Sequence, residues 1–457
     1  MPATTSDRSR RGPRIERASP ADQAFLAMDT GKLREQFGVL LILDRAPGIS
    51  LEAIRTMLAR RITAVPRLRQ VVVTVPFGCG GPIWVDDPQF DISNHVRSER
   101  CPEPCNRRAL LDAALSVVAT PLNTRAPLWA AVLVTGLDDG RAALVLVLHH
   151  VLADGIGGLT VLTNLVDGRP SAADAGFPRP SPTAAALARQ ALAVKLRALV
   201  RGKQSWRLLR SGTGAGGGLH PPRAVACSLI QKTGSQRCLA VVNVNIAAMR
   251  AAAHPHGATV NDAVLVAVAG ALARVLASNN ESLDTVVITV PVSGRSPAEQ
   301  DDLGNMVSPL LVPVAAAGGA GERMERVAAR VREGRAAATG PAPIAVLGWL
   351  FRPLARLGAY RWYMDHQHRF HTLVSSVRGP AEQVSVGGCL VTEAIPIGVA
   401  EGGNVTVYFE VLSYAGTLAI TAIVDPEHFP SLDCLINGLR AELDLIIASA
   451  PAKAAAS

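Results

Sequence analysis

Ala142-Ala-Leu-Val-Leu-Val-Leu148, followed by His149-His150-Val151-Leu152-Ala153-Asp154-Gly155, is the stretch on which the reading of this chain turns. The apolar run is entered from Asp138-Asp139-Gly140 and left at a glycine-rich turn, which predicts a buried strand. Side chains alternate along a strand, so His149 and His150 are expected on opposite faces, one as the working base and the other structural. An imidazole with an ordinary pKa of about 6.5 is suited to taking a proton from a hydroxyl near neutral pH. The nearby Asp154 either fixes the tautomer or braces the loop through an ion pair. Gly155, Gly157 and Gly158 allow backbone angles or close approaches that a β-carbon would forbid. A histidine pair satisfied by backbone groups, or half of a metal site, is the competing interpretation. Zinc or iron needs three or four converging ligands, and no other His, Cys or carboxylate cluster has suitable spacing, so no metal is expected. His150 is the expected base.

The 457 residues are too many for one ordinary core, and two domains are expected. With 49% hydrophobic residues the chain can bury both. The start, Met1 to Arg17, is polar, basic and broken by Pro and Gly; it reads as a disordered tail without a secretory h-region. The most apolar stretch, Ala263 to Ala277, is shorter than the roughly 20 residues a bilayer requires and carries Arg274. A cytoplasmic protein, soluble or peripheral to a membrane or lipid droplet, is the expectation. Seven cysteines form no regular framework and are expected as reduced thiols; Cys101-Pro-Glu-Pro-Cys105 lacks zinc or redox spacing. The net charge of +9 comes with only 4% aromatics and no nucleic-acid motif, so phosphorylated small ligands or anionic lipid surfaces fit better than nucleic acid.

Helix and strand signals alternate along the first half: helix over Ser50–Thr63, strand over Gln70–Pro76, helix over Arg107–Thr120, strands over Trp129–Thr135 and Ala142–Leu148. Residues 168–182 and 211–218 are Pro- and Gly-rich breaks, and Ala184–Arg210 between them is a basic amphipathic helical stretch. The second half repeats the mixture, with strands at Cys238–Val244 and Thr285–Val290, helices at Asn261–Ala277 and Gly321–Ala338, strands near Leu390, Val405 and Leu418, and a final helix at Leu432–Ser449. The expected organisation is a tail (1–17), a first lobe (18–167), a linker (168–224) and a second lobe (225–457). Both lobes are α/β or α+β with mixed sheets, and a cleft between them is the default site.

Several further segments now matter together: Ser19-Pro20-Ala21-Asp22, Trp84-Val85-Asp86-Asp87-Pro88, Phe90-Asp91, His95-Val96-Arg97, Pro127-Leu128-Trp129, Thr259-Val260-Asn261-Asp262, Leu303-Gly304-Asn305 and Leu412-Ser413-Tyr414-Ala415-Gly416. With His-His-x-x-x-Asp-Gly, and in this order, they resemble the bacterial wax ester synthase/diacylglycerol acyltransferase family over nearly the whole chain. The resemblance implies the two-lobed fold of chloramphenicol acetyltransferase, with the active site in a channel between the lobes. It implies transfer of a long-chain acyl group from acyl-CoA to a lipid alcohol, giving triacylglycerol or wax ester, with no tightly bound cofactor. His150 would be the general base, His149 its structural companion, and Asp154 the carboxylate that braces the loop through an arginine. Asn261 would shape the site or stabilise the oxyanion, while Asp262, Gly155, Pro127, Leu128, Trp129, Gly304 and Asn305 would be structural. CoA contacts and oligomeric state stay unassigned.

The chain departs from the family pattern at three places. Ser375-Ser376-Val377-Arg378-Gly379-Pro380 stands where many relatives carry Ser-Asn-Val-Pro-Gly-Pro, Met306 follows Gly304-Asn305 where arginine is common, and Glu35–Gly38 lacks the usual Met-His-Val-Gly look. These bear on acceptor choice, so transfer to a polyketide or cell-envelope lipid hydroxyl and a non-catalytic lipid-binding homologue remain the alternatives.

Overall fold

The computed structural model describes residues 15–29, 34–44, 49–169, 176–200, 224–293, 307–337, 354–355, 357–399 and 403–450. Strands are numbered along the chain. The first sheet runs in the order β12 (Ser385–Val386), β13 (Cys389–Gly398), β2 (Gln36–Leu43), β7 (Ala142–His149), β6 (Trp129–Thr135), β5 (Val96–Arg100). The second runs β10 (Val307–Ala315), β9 (Thr285–Ser293), β11 (Thr372–Arg378), β14 (Val407–Tyr414), β15 (Thr417–Val424), β8 (Cys238–Asn245). A small third sheet joins β1 (Glu16–Arg17), β4 (Ile83–Asp86) and β3 (Gln70–Val73). The described helices are α1 (Pro20–Met28), α2 (Leu51–Arg61), α3 (Arg107–Ala119), α4 (Gly155–Leu165), α5 (Ala184–Val200), α6 (Ile246–Ala253), α7 (Val260–Ser278), α8 (Ala320–Ala337), α9 (Ala359–Asp365) and α10 (Leu432–Ala448). Both large sheets are mixed: β5 and β6 are parallel, as is β11 with β9 and β14, and the other pairs are antiparallel.

β7 is buried along its whole length, as a continuous apolar strand in the middle of a covered sheet must be. Leu144, Leu146 and Leu148 point to the core under α2 and α4, whereas Val145 and Val147 point to the core under α3. The second lobe is organised by α7, whose residues from Asp262 to Leu272 are all buried against the second sheet and α10. By length and mean hydropathy of 1.7 this helix could cross a membrane, but 72% of that apolar window is buried inside the lobe. It is therefore the core helix that the Ala263–Ala277 stretch becomes.

Four expectations need correction. The sheets do not divide at residue 224/225: β12 and β13 belong to the C-terminal part of the chain but complete the first sheet, with β13 antiparallel to β2. Of the expected tail, residues 1–14 lie outside the described part, whereas Glu16–Arg17 pairs with β4, and Arg17 donates to the carbonyls of Gly81 (2.8 Å) and Cys79 (2.9 Å). The segment after Asp154 is not a loop but the first turn of α4. The expected basic helix is described over Ala184–Val200; residues 201–223 lie outside the described part, and Leu187 is buried against Cys79 and Ile83 rather than displayed. Arg179 fastens the segment before α5 by forking onto Asp86 at 2.7 and 2.9 Å. All seven cysteines are unpaired thiols, as expected.

The face of β14 that carries Tyr408, Leu412 and Tyr414 packs on the first lobe, while Val407, Phe409 and Val411 face α7. The Tyr414 hydroxyl donates to Val391 O (2.9 Å) and accepts from Val384 N (2.8 Å), tying the β13 crossover to the second sheet. Next to it, Ala415 (φ 45°) and Gly416 (φ 81°) form the two-residue reversal into β15, which requires left-handed backbone at both positions.

Candidate active site

His149 ends β7 and His150 begins the turn after it, so the strand delivers both imidazoles to the sheet's edge toward the second lobe. His149 is 2% exposed. Its Nδ1 accepts from Val151 N at 3.0 Å, which leaves the proton on Nε2, 3.4 Å from Asp29 Oδ2. Its own N–H donates to Leu128 O at 3.1 Å, and Trp129 behind it is fixed by an indole bond to Leu68 O (2.7 Å) and by stacking on His95 (4.7 Å). Through Leu128 O, the Pro127-Leu128-Trp129 segment is tied to the end of β7.

The carboxylate at His149 is Asp29, not Asp154. Asp29 caps the C-terminus of α1, takes the N–H of Glu35 at 3.3 Å and lies 3.4 Å from Arg34 Nη1. Asp154 instead caps the N-terminus of α4, its Oδ1 accepting from Gly157 N at 2.9 Å. Asp154 therefore shapes the turn through a helix cap; the arginine expected to brace it does not figure in this bond.

His150 is held by groups from α1 and from the start of β2. Its N–H donates to Glu35 O (2.8 Å), and its ring stacks on Phe25 (5.2 Å) and lies against Phe37 (4.7 Å). Burial in this apolar cage, with His149 adding a smaller push, lowers the His150 pKa to about 3, so the imidazole is neutral at physiological pH. The glycines matter by close approach: a β-carbon on Gly158 would sit 2.7 Å from the Phe37 ring, and one on Gly155 would sit 2.9 Å from Val377 of β11. The second contact places the turn against the second sheet, at the junction of the two lobes. A sequence signal for the cage did exist. Ser19-x-x-Asp22 is a capping box, observed with both bonds, and it starts the helix that carries Phe25 to the ring and ends at Asp29.

Asn261 lies in the first turn of α7, in the second lobe. Thr259 is the N-cap of α7 and forms a capping box with Asp262, so the cap needs nothing from Asn261, whose Oδ1 is buried without a hydrogen-bond partner among the described residues. α7 packs on β9, β10, α8 and α10 of the second lobe, whereas the His149–Asp154 turn is placed by the first. Leu303, Gly304 and Asn305 lie outside the described residues.

Asp29→Ala removes the acceptor facing a buried imidazole N–H. It is expected to cost about 1–3 kcal/mol of stability and to slow turnover by loosening the turn; urea titration beside a turnover assay checks both, and wild-type values in each would remove Asp29 from the site.

Comparison with known proteins agrees with this architecture. The family described as wax ester synthase/diacylglycerol acyltransferase catalytic domain matches residues 18–264, and its C-terminal domain matches residues 303–447. A Mycobacterium tuberculosis chain provisionally named a diacylglycerol O-acyltransferase is 29% identical over 468 aligned positions, covering 96% of this chain and 98% of its own. Another from that organism, with the same provisional name, is 29% identical over 86% of this chain and 84% of its own. Among solved structures, the wax ester synthase/diacylglycerol acyltransferase of Marinobacter aquaeolei superposes with a TM-score of 0.65 at 21% identity, covering 95% of this chain and 99% of that one. The starter condensation domain of rhizomide synthetase, solved with C8-CoA and Leu-SNAC, superposes with a TM-score of 0.61 at 16% identity over 95% and 94% of the two chains. These structural likenesses concern the fold, whereas the match over residues 18–264 spans more than half of the sequence. The chain belongs to the wax ester synthase/diacylglycerol acyltransferase family of O-acyltransferases.

Proposed function

We propose that this protein moves a long-chain acyl group from acyl-CoA to the hydroxyl of diacylglycerol or of a fatty alcohol, with His150 as the general base. The observation that carries this reading is the neutral His150 ring, caged by Phe25 and Phe37 where the lobes meet. A neutral imidazole can take the proton of the acceptor hydroxyl as its oxygen attacks the thioester carbonyl. The tetrahedral intermediate then collapses with loss of the CoA thiolate, and the imidazolium returns the proton to sulfur. His149, fixed between Val151 N and Asp29, keeps the turn in register and is the structural companion. Asn261 at the N-terminus of α7, with a buried amide oxygen outside the cap, is the residue assigned to shaping the site or holding the oxyanion. Acyl-CoA as co-substrate accords with the C8-CoA in the rhizomide synthetase structure.

The direct test is thiol release from palmitoyl-CoA with dioleoylglycerol, with hexadecanol and with no acceptor. Acceptor-dependent release with one or both supports the reading; release that ignores the acceptor, or none, rejects it. Asn261→Ala belongs to the same assay. It is expected to lower turnover with an unchanged melting temperature, because Thr259 and Asp262 keep the helix cap; unchanged turnover would remove Asn261 from the chemistry.

The same reading places the protein at the cytoplasmic surface of a membrane or lipid droplet, since its acceptors reside there. On α5, Leu192, Val194 and Leu196 are more than half exposed and alternate with exposed Arg189, Lys195 and Arg197. Phe77 is wholly exposed in the loop whose Cys79 touches the same helix. A second basic and aromatic segment, Trp349 to Tyr363 (WLFRPLARLGAYRWY), is described only in part, with Leu357 and Trp362 exposed and residues 349–353 and 356 outside the described part. Each cation near an anionic surface contributes roughly 1 kcal/mol. Co-sedimentation with phosphatidylserine vesicles is expected to fall with salt and with Lys195→Glu and Arg197→Glu together; salt-insensitive binding, or none, would discard this surface.

A further inference from the structure

The face of the second sheet that packs on the first lobe is apolar along Leu373, Tyr408, Leu412 and Ile423, but one rung is not. Ser375 of β11 and Glu410 of β14 are register partners, and Glu410 is in turn the partner of Thr421 of β15. All three side chains lie on this face, because their neighbours Val374, Val411, Ile420 and Ala422 point the other way, into the core of the second lobe. Ser375 lies beside the Glu410 carboxyl and favours its charged form. Thr421 is wholly buried, and its hydroxyl has no hydrogen-bond partner among the described residues. A buried hydroxyl without a partner is unfavourable, and a carboxyl in an apolar seam is more so, unless something polar arrives to complete them.

Two routes connect this rung to the histidine turn. On one side, a β-carbon on Gly398 would lie 3.1 Å from Glu410 Oε1. Gly398 is the register partner of Phe37, and the Phe37 ring lies 4.7 Å from that of His150. On the other, Val377, two residues along β11 from Ser375, abuts Gly155. Neighbouring strands lie about 4.8 Å apart, so the Glu410 carboxyl stands on the order of 10 Å from the base. That is within the reach of a substrate bound at His150. No motif marks Glu410 or Thr421, Ser375 opens the Ser375–Pro380 segment, and the chemistry at His150 uses none of the three.

We propose that Ser375, Glu410 and Thr421 form a polar subsite that hydrogen-bonds a carbonyl-bearing segment of a substrate away from the reacting bond. The chemistry recognised is an ester or amide carbonyl, supplied by the esters of a glyceride acceptor or by the amides in the pantetheine arm of acyl-CoA. Burial raises the Glu410 pKa to about 7, so near neutrality much of it is a neutral acid able to donate to a carbonyl. The Thr421 hydroxyl supplies a second donor. The subsite rests on the acyl-transfer reading, yet binding can test it without turnover.

The experiment measures equilibrium binding of palmitoyl-CoA and, separately, of dioleoylglycerol in detergent micelles to the wild-type chain and to Thr421→Val, Glu410→Leu and Glu410→Gln. Melting temperatures and turnover with dioleoylglycerol and hexadecanol accompany it. One ligand is expected to weaken roughly three- to tenfold in Thr421→Val and in Glu410→Leu, and far less in Glu410→Gln, which keeps a neutral donor. Loss confined to dioleoylglycerol, with hexadecanol turnover spared, assigns the glyceride. Loss confined to palmitoyl-CoA, with both acceptors slowed alike, assigns the pantetheine arm. Unchanged affinity for both ligands, above all with a higher melting temperature in Thr421→Val, overturns the subsite. Thr421→Val preserves side-chain shape and carries the test if Glu410→Leu does not fold. A wild type that binds both ligands, loses one in the variants and never releases thiol keeps the subsite and rejects acyl transfer, whereas one that binds neither overturns both.

Discussion

His150→Ala should lower turnover by roughly 10²- to 10⁴-fold, the contribution typical of a positioned base, while the protein stays folded. The ring stacks on Phe25 and lies against Phe37, and the turn itself is held by backbone bonds from His150 N to Glu35 O and from Leu152 N to His149 O, which stay when the side chain is cut back. Removing the imidazole therefore removes chemistry and leaves the scaffold. His149→Ala is the informative contrast. It takes away the acceptor for Val151 N and the partner of Asp29, so its effect should be read first in melting temperature and only through that in rate. Steady-state turnover and thermal unfolding of both variants check this. Equal, mild losses of rate with normal melting in both would assign the base to neither histidine.

Glu442→Ala should cost about 3–5 kcal/mol of stability, the usual penalty for orphaning a buried ion-pair partner, a large share of the roughly 5–15 kcal/mol that holds a typical domain together. Glu442 on α10 accepts from Arg274 at 2.9 and 3.1 Å and from Arg323 at 3.2 Å. Arg323 is only 4% exposed, and its remaining N–H groups bond Ala315 O (3.0 Å) and Val266 O (2.9 Å). Burial pushes the Arg323 pKa down, and Glu442 opposes that push. Without Glu442 the guanidinium keeps its carbonyls but loses its counter-charge inside the lobe. The pair also fixes α7, because a β-carbon on Gly270 would fall 2.2 Å from Glu442 Oε2. Arg274→Ala should cost less than about 1 kcal/mol, since half of that side chain is in solvent. Urea denaturation checks the order, and a Glu442→Ala variant within about 1 kcal/mol of wild type would show that the pair does not hold the lobe.

What the sequence disclosed follows from the range over which each feature is built. β6 occupies the expected Trp129–Thr135, and β7 extends the expected strand by one residue, because unbroken apolar runs between polar turns are local signals. The strand β10 was hidden by Pro309 and Pro313, which argue against a strand in the middle of a sheet. β10 is an edge strand, where prolines spaced by four can turn their N–H-less side to the unpaired flank. Gly155-Ile156-Gly157-Gly158 looks like a turn by composition, yet it opens a helix because Asp154 caps it and the glycines admit Phe37 and Val377. The cage around His150 is tertiary. Phe25, Asp29 and Phe37 acquire meaning only when α1 and β2 meet the end of β7, and no spacing within the chain encodes that meeting. The crossover of β13 into the first sheet is invisible for the same reason.

The pH dependence of kcat/KM tests most directly the proposal that the neutral, apolar-caged His150 is the working base. The base acts when unprotonated, and the cage depresses its pKa from the ordinary 6.5 to about 3. On the acid side, kcat/KM for the wild type should therefore stay level well below pH 6. Folding runs the other way: the unfolded chain takes up the proton below about pH 6.5 while the folded chain refuses it, so stability contributed by the neutral ring is progressively lost toward the lowered pKa. Circular dichroism must accompany each rate to show that the chain is still folded. A level acid side on folded protein is the predicted result. A half-loss of kcat/KM near pH 6.5, with the fold intact, would mean that the base carries an ordinary pKa and is not the caged histidine described.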